Sequence, residues 1–368
     1  MAANPTAPAL PQVSVIVPAR NEEASLAACL DSLVSQTGVT FEIIVVDDHS
    51  TDRTHEIAER FAAAHPGKVR VISAVPLPDG WTGKNNAVTT GAREALGEWL
   101  LFTDADTIHL PGSLARALSE ANQTGSDLLS YSPEQIAVTF WEMAILPVVF
   151  AELARQYPPS KVSDPKSPIA AANGQFILIR REAYTAIGGH AAIASQILED
   201  VALARVVKGS GRKIHFRYAA DAVRTRMYRN FSQLREGWTK NLALLFPHPG
   251  RLAAKTLFLW LLPWIAFLFA SKSWWMDATF VVSFFYLFAR IWRANFALDR
   301  TLWAVLFGMP MFCYLLLRSK KIHEQGSVSW KGRTYAADSN SGDSKISEAS
   351  HNTIQLVTIT APTAQRTS

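Results

Sequence analysis

Along the first hundred residues, short apolar runs alternate with segments whose apolar positions recur every three or four residues. The run VSVIV (Val13–Val17) ends at Pro18, and between Glu22 and about Val34 the apolar positions are Leu26, Leu30, Leu33 and Val34, which predicts a strand followed by a helix. FEIIVV (Phe41–Val46) predicts a second strand that stops at Asp47, with a helix starting behind Ser50 or Asp52, both good capping residues. VRVI (Val69–Ile72) predicts a third strand, leading through a Pro- and Gly-rich loop to a helix from about Lys84 to Leu96. EWLLF (Glu98–Phe102) predicts a fourth, ending at Asp104. Strands this continuously apolar, separated by helices, specify an α/β fold with a mostly parallel sheet covered on both faces. Such sheets bind ligands beyond the carboxyl ends of their strands. At those ends lie Arg20, Asn21 and Glu22, then Asp47 and Asp48, then Asp104 and Asp106.

The pattern then changes. An apolar, Pro-interrupted stretch from Ile136 to Leu153 carries Glu142 and Glu152 and is too short and too charged for a span of about 20 residues. It predicts a helix at an interface or against substrate, with ordinary core as the plainer alternative. QFILI (Gln175–Ile179) reads as a strand, and this second half of the sheet region is expected to face the acceptor. After Pro247 and Pro249 come three apolar segments, roughly 252–270, 274–292 and 301–317, with Trp at several edges, as in an interfacial belt. The expected organisation is a flexible start (1–12), a sheet domain (13–241), membrane segments (252–318), a basic juxtamembrane segment (319–335) and a disordered Ser-, Thr- and Asn-rich tail (336–368). Three crossings would place the cluster Arg318, Lys320 and Lys321 outside. Either one segment is re-entrant or interfacial, or the positive-inside rule fails here.

Composition sharpens this division. The chain of 368 residues is 49% hydrophobic and 18% charged, below the roughly 25% charged of an average soluble domain, and eight of its 11 Trp lie from Trp238 onward. The mean hydropathy of +0.08 therefore averages two regimes. A net charge of +5 is too mild for nucleic acid, which demands a dense basic face, and basic residues beside apolar segments fit a membrane surface better. Cys29 and Cys313 supply neither a disulfide framework nor a Cys metal cluster. The start MAANPTAPALPQ has no signal-peptide pattern, so residues 1 to about 240 are expected to stay cytoplasmic.

Asp104-Ala105-Asp106 is the sharpest chemical signal. Two carboxylates one residue apart at a strand end suit Mg²⁺ or Mn²⁺ with a diphosphate supplying further oxygens, although Asp-x-Asp also occurs as a simple polar turn. Asp47 and Asp48 stand at a neighbouring strand end, where a carboxylate accepts from a nucleobase N–H or ribose hydroxyls; the alternative is helix capping by DDHSTD. GWTGKNNA puts Gly80, Gly83, Lys84, Asn85 and Asn86 at a helix entrance, where free N–H groups and a cation favour phosphate. It has neither a Walker spacing nor G-x-G-x-x-G. Glu199-Asp200 opens an apolar-periodic helix, where a carboxylate by itself is a cap or dipole partner.

Together VPARNEE (Val17–Glu23), VVDDHSTD (Val45–Asp52), LLFTDAD (Leu100–Asp106), NGQFILIRREAY (Asn173–Tyr184) and LED (Leu198–Asp200) resemble the family 2 glycosyltransferases of GT-A fold, from Val13 to about Asn241. The resemblance implies that Pro18, Arg20, Asn21, Glu22 and Asp48 shape a uridine site and that Asp104 and Asp106 hold Mg²⁺ or Mn²⁺ on the donor diphosphate, with Lys84 beside it. It implies Asp200 as general base of an inverting transfer. Asn173, Gly174, Gln175, Glu199 and Trp238 fall near donor sugar or acceptor. GWTGKNNA, VRTRMYRNFSQLREGWTKN (Val223–Asn241) and WKGRTY (Trp330–Tyr335) look like the bacterial branch associated with hopanoid and carotenoid glycosylation.

The implied enzyme moves a sugar from a UDP-sugar to a lipid in the cytoplasmic membrane, from a cytoplasmic catalytic domain on a multi-pass anchor, with no nucleic-acid partner. Alternatives are transfer to a polyprenyl phosphate or glycan polymer, and a silent nucleotide-sugar-binding scaffold. The Gln-x-x-Arg-Trp of processive synthases is broken here in Gln233-Leu234-Arg235-Glu236-Gly237-Trp238, so Trp238 either stacks near the acceptor or anchors its segment at the interface. Arg226, Lys240 and Arg333 face a similar choice between phosphate and lipid headgroups.

Overall fold

The computed structural model describes residues 10–269, 273–292, 296–330 and 333–336. Most of the expected flexible start, nearly all of the expected tail, and Lys331 and Gly332 lie outside the described residues.

β1 (Val13–Ala19), α1 (Leu26–Val34), β2 (Phe41–Asp47), α2 (Thr54–Ala64), β3 (Val69–Ser73), α3 (Gly83–Glu94) and β4 (Trp99–Phe102) follow the expected order. β1 lies between β2 and β4, parallel to both, with Val15 opposite Ile43 and Leu101. Successive β1 residues point to opposite faces: Val15 and Val17 join a core with α1, while Ile16 joins another with Ala87 and Val88 of α3. Burial on both faces is why these strands read as unbroken apolar runs. Gly91 of α3 makes the second face tight, since a Cβ there would stand 2.6 Å from Ile16 Cγ2 and 2.9 Å from Val46 Cγ2.

Boundaries differ from the periodicity where loops are tied together. α1 starts at Leu26 rather than Glu22 because the Glu22 N–H donates to Thr54 Oγ1 and the Glu23 N–H to Asp52 Oδ2, holding both residues against the loop after β2. Asp52 also accepts the Thr54 N–H at 2.9 Å, whereas Ser50 takes the Asn21 N–H. Neither capping candidate occupies the N-cap, which is Arg53, but Asp52 accepts the N–H of the first helical residue.

Next come β5 (Thr107–His109), α4 (Ser113–Thr124), β6 (Leu128–Ser132), β7 (Glu134–Gln135), α5 (Phe140–Gln156), α6 (Pro159–Ser163), β8 (Ile177–Arg180), α7 (Arg181–Ala186), α8 (Glu199–Gly209), β9 (Ile214–Tyr218) and β10 (Val223–Thr225). The main sheet has the order β3-β2-β1-β4-β8-β6-β9, with β8 antiparallel to both neighbours. A small sheet, β5-β10-β7, begins directly behind Asp106.

The remaining elements are α9 (Phe231–Leu245), α10 (Pro249–Leu268), α11 (Trp274–Trp292), α12 (Leu298–Trp303), α13 (Met309–Glu324) and the hairpin β11 (Ser327–Trp330) and β12 (Arg333–Ala336). α12 passes through a π-helical turn at Ala304–Gly308 into α13. A Cβ on Gly308 would collide with the Ala144 carbonyl of α5, so this glycine sets how closely the two helices approach. α5 spans the apolar stretch with Pro147 inside it, and its two carboxylates are matched from elsewhere in the chain. Glu142 closes a capping box with Thr139 and pairs with Arg226, while Glu152 pairs with Arg155 and with Arg290 of α11.

Among the described residues, two helices are long and apolar enough to cross a membrane, Pro249–Leu268 and Leu298–Glu324. Three such segments were expected. The middle one is a helix over the expected residues, but Asp277 and Arg290 interrupt its apolar character and Arg290 is committed to Glu152. Most of α10 is uncovered by the protein, with Phe258, Ile265, Phe267 and Leu268 exposed.

Candidate active site

Beyond the carboxyl ends of β1, β2 and β4 a cleft of about 630 Å³ opens. Pro18, Arg20, Asn21, Glu22, Asp48, Lys84, Asp104, Asp106, Asn173, Gly174, Gln175, Glu199, Asp200 and Trp238 all line it, reaching one cavity from separate parts of the chain, whereas Asp47, Gly80, Gly83, Asn85 and Asn86 do not.

The loops after β1 and β2 form one unit. Asn21 adopts a left-handed backbone (φ 53°), as does His49 (φ 54°), a region that Asn enters more readily than most residues. The Asn21 N–H donates to Ser50 Oγ and its Oδ1 accepts the Thr51 N–H at 2.8 Å. Arg20 Nη1 donates to the Asp48 carbonyl at 2.6 Å, and the Asp48 N–H donates to the Ala19 carbonyl. These bonds turn the Asp48 carboxylate into the cleft. Asp47 points into its own loop, where it accepts the Ser50 N–H and lies 3.4 Å from His55 Nδ1.

Lys84 is held at the start of α3, whose cap Thr82 accepts the Asn85 N–H. Its Nζ lies 2.6 Å from Asp104 Oδ1 and 2.6 Å from Glu199 Oε1, joining the ends of β4 and α8. Burial opposes a charge here, but the two carboxylates outweigh it and hold the ammonium well above its usual pKa. Burial likewise opposes the Glu199 charge, which Lys84 and then Lys240 outweigh, so Glu199 stays below the usual carboxylate range. Burial pushes Asp104 up despite Lys84.

Asp200 occupies the first turn of α8. Its Oδ2 accepts the Gly174 N–H at 3.0 Å and its Oδ1 the Val201 N–H at 2.7 Å. Burial, and then the neighbouring Glu199, raise its carboxyl to about 6. A Cβ on Gly174 would stand 3.0 Å from Lys84 Nζ and 3.2 Å from Glu199 Oε1, so a side chain there would crowd the ion pair.

Asn173 and Gln175 flank that glycine and brace the loop. The Asn173 Oδ1 accepts the Gln175 N–H, and Gln175 Nε2 donates to Thr225 Oγ1.

Asp104 and Asp106 present oxygen ligands at the cleft, and among the described residues no group of three or more His, Cys, Asp or Glu side chains forms a metal cluster. Two carboxylates with the remaining positions left to substrate oxygens and water is a donor set that suits Mg²⁺ or Mn²⁺, which retain water and bind through one or two carboxylates plus phosphate.

Trp238 is buried between Phe150 and Tyr228, with ring centroids 6.1 and 6.0 Å away, so it is not an exposed interfacial anchor. Its Nε1 has no hydrogen-bond partner. Arg226 is paired with Glu142 through Nε and Nη2 at 3.0 and 3.2 Å rather than turned toward lipid. The stretch expected to lie at an interface or against substrate supplies part of the apolar wall of the cleft, formed by Phe150, Leu153 and Ala154 of α5, while Tyr157 just beyond it and Leu245 of α9 were not singled out. The Pro-interrupted run was its signal. Helix spacing alone does not show which face of such a run meets a cavity.

Residues 14–188 match the glycosyl transferase family 2 domain. Over 343 residues the chain is 29% identical to the 4,4'-diaponeurosporenoate glycosyltransferase of Staphylococcus aureus strain MRSA252, covering 88% of each chain, and 28% identical to that of strain USA300 with the same coverage. Among solved structures, the mannosyltransferase PcManGT of Pyrobaculum calidifontis, in complex with GDP-Man and Mn²⁺, superposes with a TM-score of 0.53 at 19% identity, covering 86% of this chain and 87% of its own. That likeness is one of fold.

Proposed function

We propose that this chain, whose residues 14–188 match the glycosyl transferase family 2 domain, performs an inverting, metal-dependent transfer of one sugar from a UDP-sugar to an isoprenoid-type membrane lipid. One observation carries the reading. The cleft joins a carboxylate and lysine corner at the strand ends to an apolar wall from α5 and α9, and α9 and α5 pack on the helix Leu298–Glu324. A polar donor and a lipid acceptor thus meet at one place. The acceptor class is supported by the names of the Staphylococcus aureus relatives.

In this reading Asp48 accepts from the nucleobase and the loops after β1 and β2 hold the nucleoside. The acceptor oxygen attacks the anomeric carbon on the face opposite the leaving diphosphate, forming the new C–O bond as the bond to the diphosphate breaks. Asp200 takes the acceptor's hydroxyl proton, and where the acceptor is a carboxylate no proton need be removed. Gly174 keeps the Asp200 carboxylate oriented, and burial gives it basicity. The Lys84 ammonium stands beside Asp104, where it stabilises negative charge on the departing diphosphate. Asp104 and Asp106 would hold a divalent cation, which when bound would supply Lewis-acid stabilisation of that same charge. Two helices able to cross a membrane would tether the site to the cytoplasmic membrane with the sheet domain on its cytoplasmic side.

The test is a donor screen on detergent-solubilised protein with isoprenoid lipid acceptors, with added Mn²⁺ or EDTA. The expected product is a monoglycosylated lipid formed only with metal. A labelled polymer, or transfer that survives EDTA, would overturn the reading.

A further inference from the structure

The closest ion pair around the nucleoside end of the cleft joins residues 285 positions apart. Arg333, the first residue of β12, reaches from the C-terminal hairpin and binds Asp48 with both arms of its guanidinium, Nη1 to Oδ2 at 2.5 Å and Nη2 to Oδ1 at 3.0 Å. Both side chains are largely buried, at 18% and 6% exposure. A planar fork on both oxygens of a carboxylate is the strong form of this contact.

A second observation places the same guanidinium toward the phosphate end. Gly83 is the first residue of α3, and a Cβ on it would collide with Arg333 Nη1. Only glycine leaves the guanidinium this room. Arg333 therefore lies over the first turn of α3, where backbone N–H groups favour an anion, and the next residue is Lys84, bonded to Asp104. It stands between the carboxylate expected to read the nucleobase and the corner expected to hold the diphosphate.

We infer that Arg333 belongs to the donor site, exchanging partners within it: it occupies Asp48 until a nucleoside diphosphate enters, then turns to the diphosphate as the base takes Asp48. The inference rests on the proposed donor site. Asp48 keeps a partner at both stages, first the guanidinium and then the N–H of the base, while the positive charge of Arg333 passes to the incoming anion. It also gives the C-terminal hairpin a function, as the source of a donor ligand more than 140 residues beyond the family 2 match ending at 188.

The experiment measures affinities of the full-length chain in detergent with Mn²⁺ for UDP and GDP and for the nucleosides uridine and guanosine. For whichever base wild type binds, Arg333→Ala should weaken the diphosphate about tenfold while the nucleoside binds equally well or more tightly, since its competitor for Asp48 is gone. Retained nucleoside binding shows that the variant is folded. Arg333→Lys should recover part of the diphosphate affinity. Unchanged diphosphate affinity in Arg333→Ala, or an equal weakening of nucleoside and diphosphate, overturns the inference and leaves the proposed function standing. Failure of wild type to bind either diphosphate overturns both.

Discussion

The Gly174 N–H donates to Asp200 Oδ2 across 3.0 Å, so the loop entering β8 fixes the carboxylate that opens α8. With burial and Glu199 raising Asp200 to about 6, the proposed base is mostly ionised only above that value. Transfer to a hydroxyl acceptor should therefore rise with pH through about 6 and level off above it. In a pH profile of kcat/KM, Asp200→Asn should lose this limb along with most of the rate. Stability moves the other way. A carboxyl whose native pKa exceeds its unfolded value contributes stability that is fully present below the unfolded pKa and lost as pH rises through about 6. Thermal denaturation should find Asp200→Asn more stable than wild type at about pH 8, with the advantage shrinking as pH falls below about 6 and gone below about pH 4.

The Lys84 ammonium bridges Asp104 and Glu199. Lys84→Met leaves two carboxylates facing each other, which should lower the melting temperature and reduce kcat by about a hundredfold, the scale of losing one positioned charge at a developing anion. Lys84→Arg, with its wider head, should restore stability better than rate. Parallel melting curves and steady-state kinetics check both halves.

Trp238 contributes packing to the cleft wall, and its Nε1–H is buried without a hydrogen-bond partner. Trp238→Ala should destabilise the fold by about 3–5 kcal/mol through the cavity it leaves. Trp238→Phe should keep most of the stability and raise KM for the lipid acceptor while leaving KM for the donor unchanged. Equal changes in both constants would show that the indole nitrogen does not meet the acceptor.

Gly91 lets α3 approach β1 and β2, and α3 carries Lys84. Gly91→Ala should overpack this contact, costing about 1–3 kcal/mol and weakening donor binding with it. Denaturant unfolding and a UDP titration on the same preparation test the coupling.

Much of this site was legible because strand ends are marked in sequence. The runs ending near Pro18, Asp47 and Asp104 became β1, β2 and β4, and the polar residues behind them line the cleft. Asp47 and Asp48 looked equivalent because adjacent residues at a strand end carry no sign of which will turn inward. The hydrogen bonds of Arg20 and Ser50 decide it. Lys84–Glu199, Arg226–Glu142 and Arg333–Asp48 were hidden for a different reason: each joins distant segments, and local periodicity carries no information on register between elements. β8 running antiparallel was hidden likewise, since a buried strand is equally apolar in either direction.

The most direct measurement follows labelled sugar from a UDP-sugar into an isoprenoid lipid, comparing wild type with Asp200→Asn at saturating metal and with UDP affinity measured alongside. The account predicts one sugar per lipid with inverted anomeric configuration, and for a hydroxyl acceptor a rate about 10²–10⁴-fold lower in Asp200→Asn at unchanged UDP affinity. Retained configuration, or a variant as fast as wild type on a hydroxyl acceptor, would contradict it.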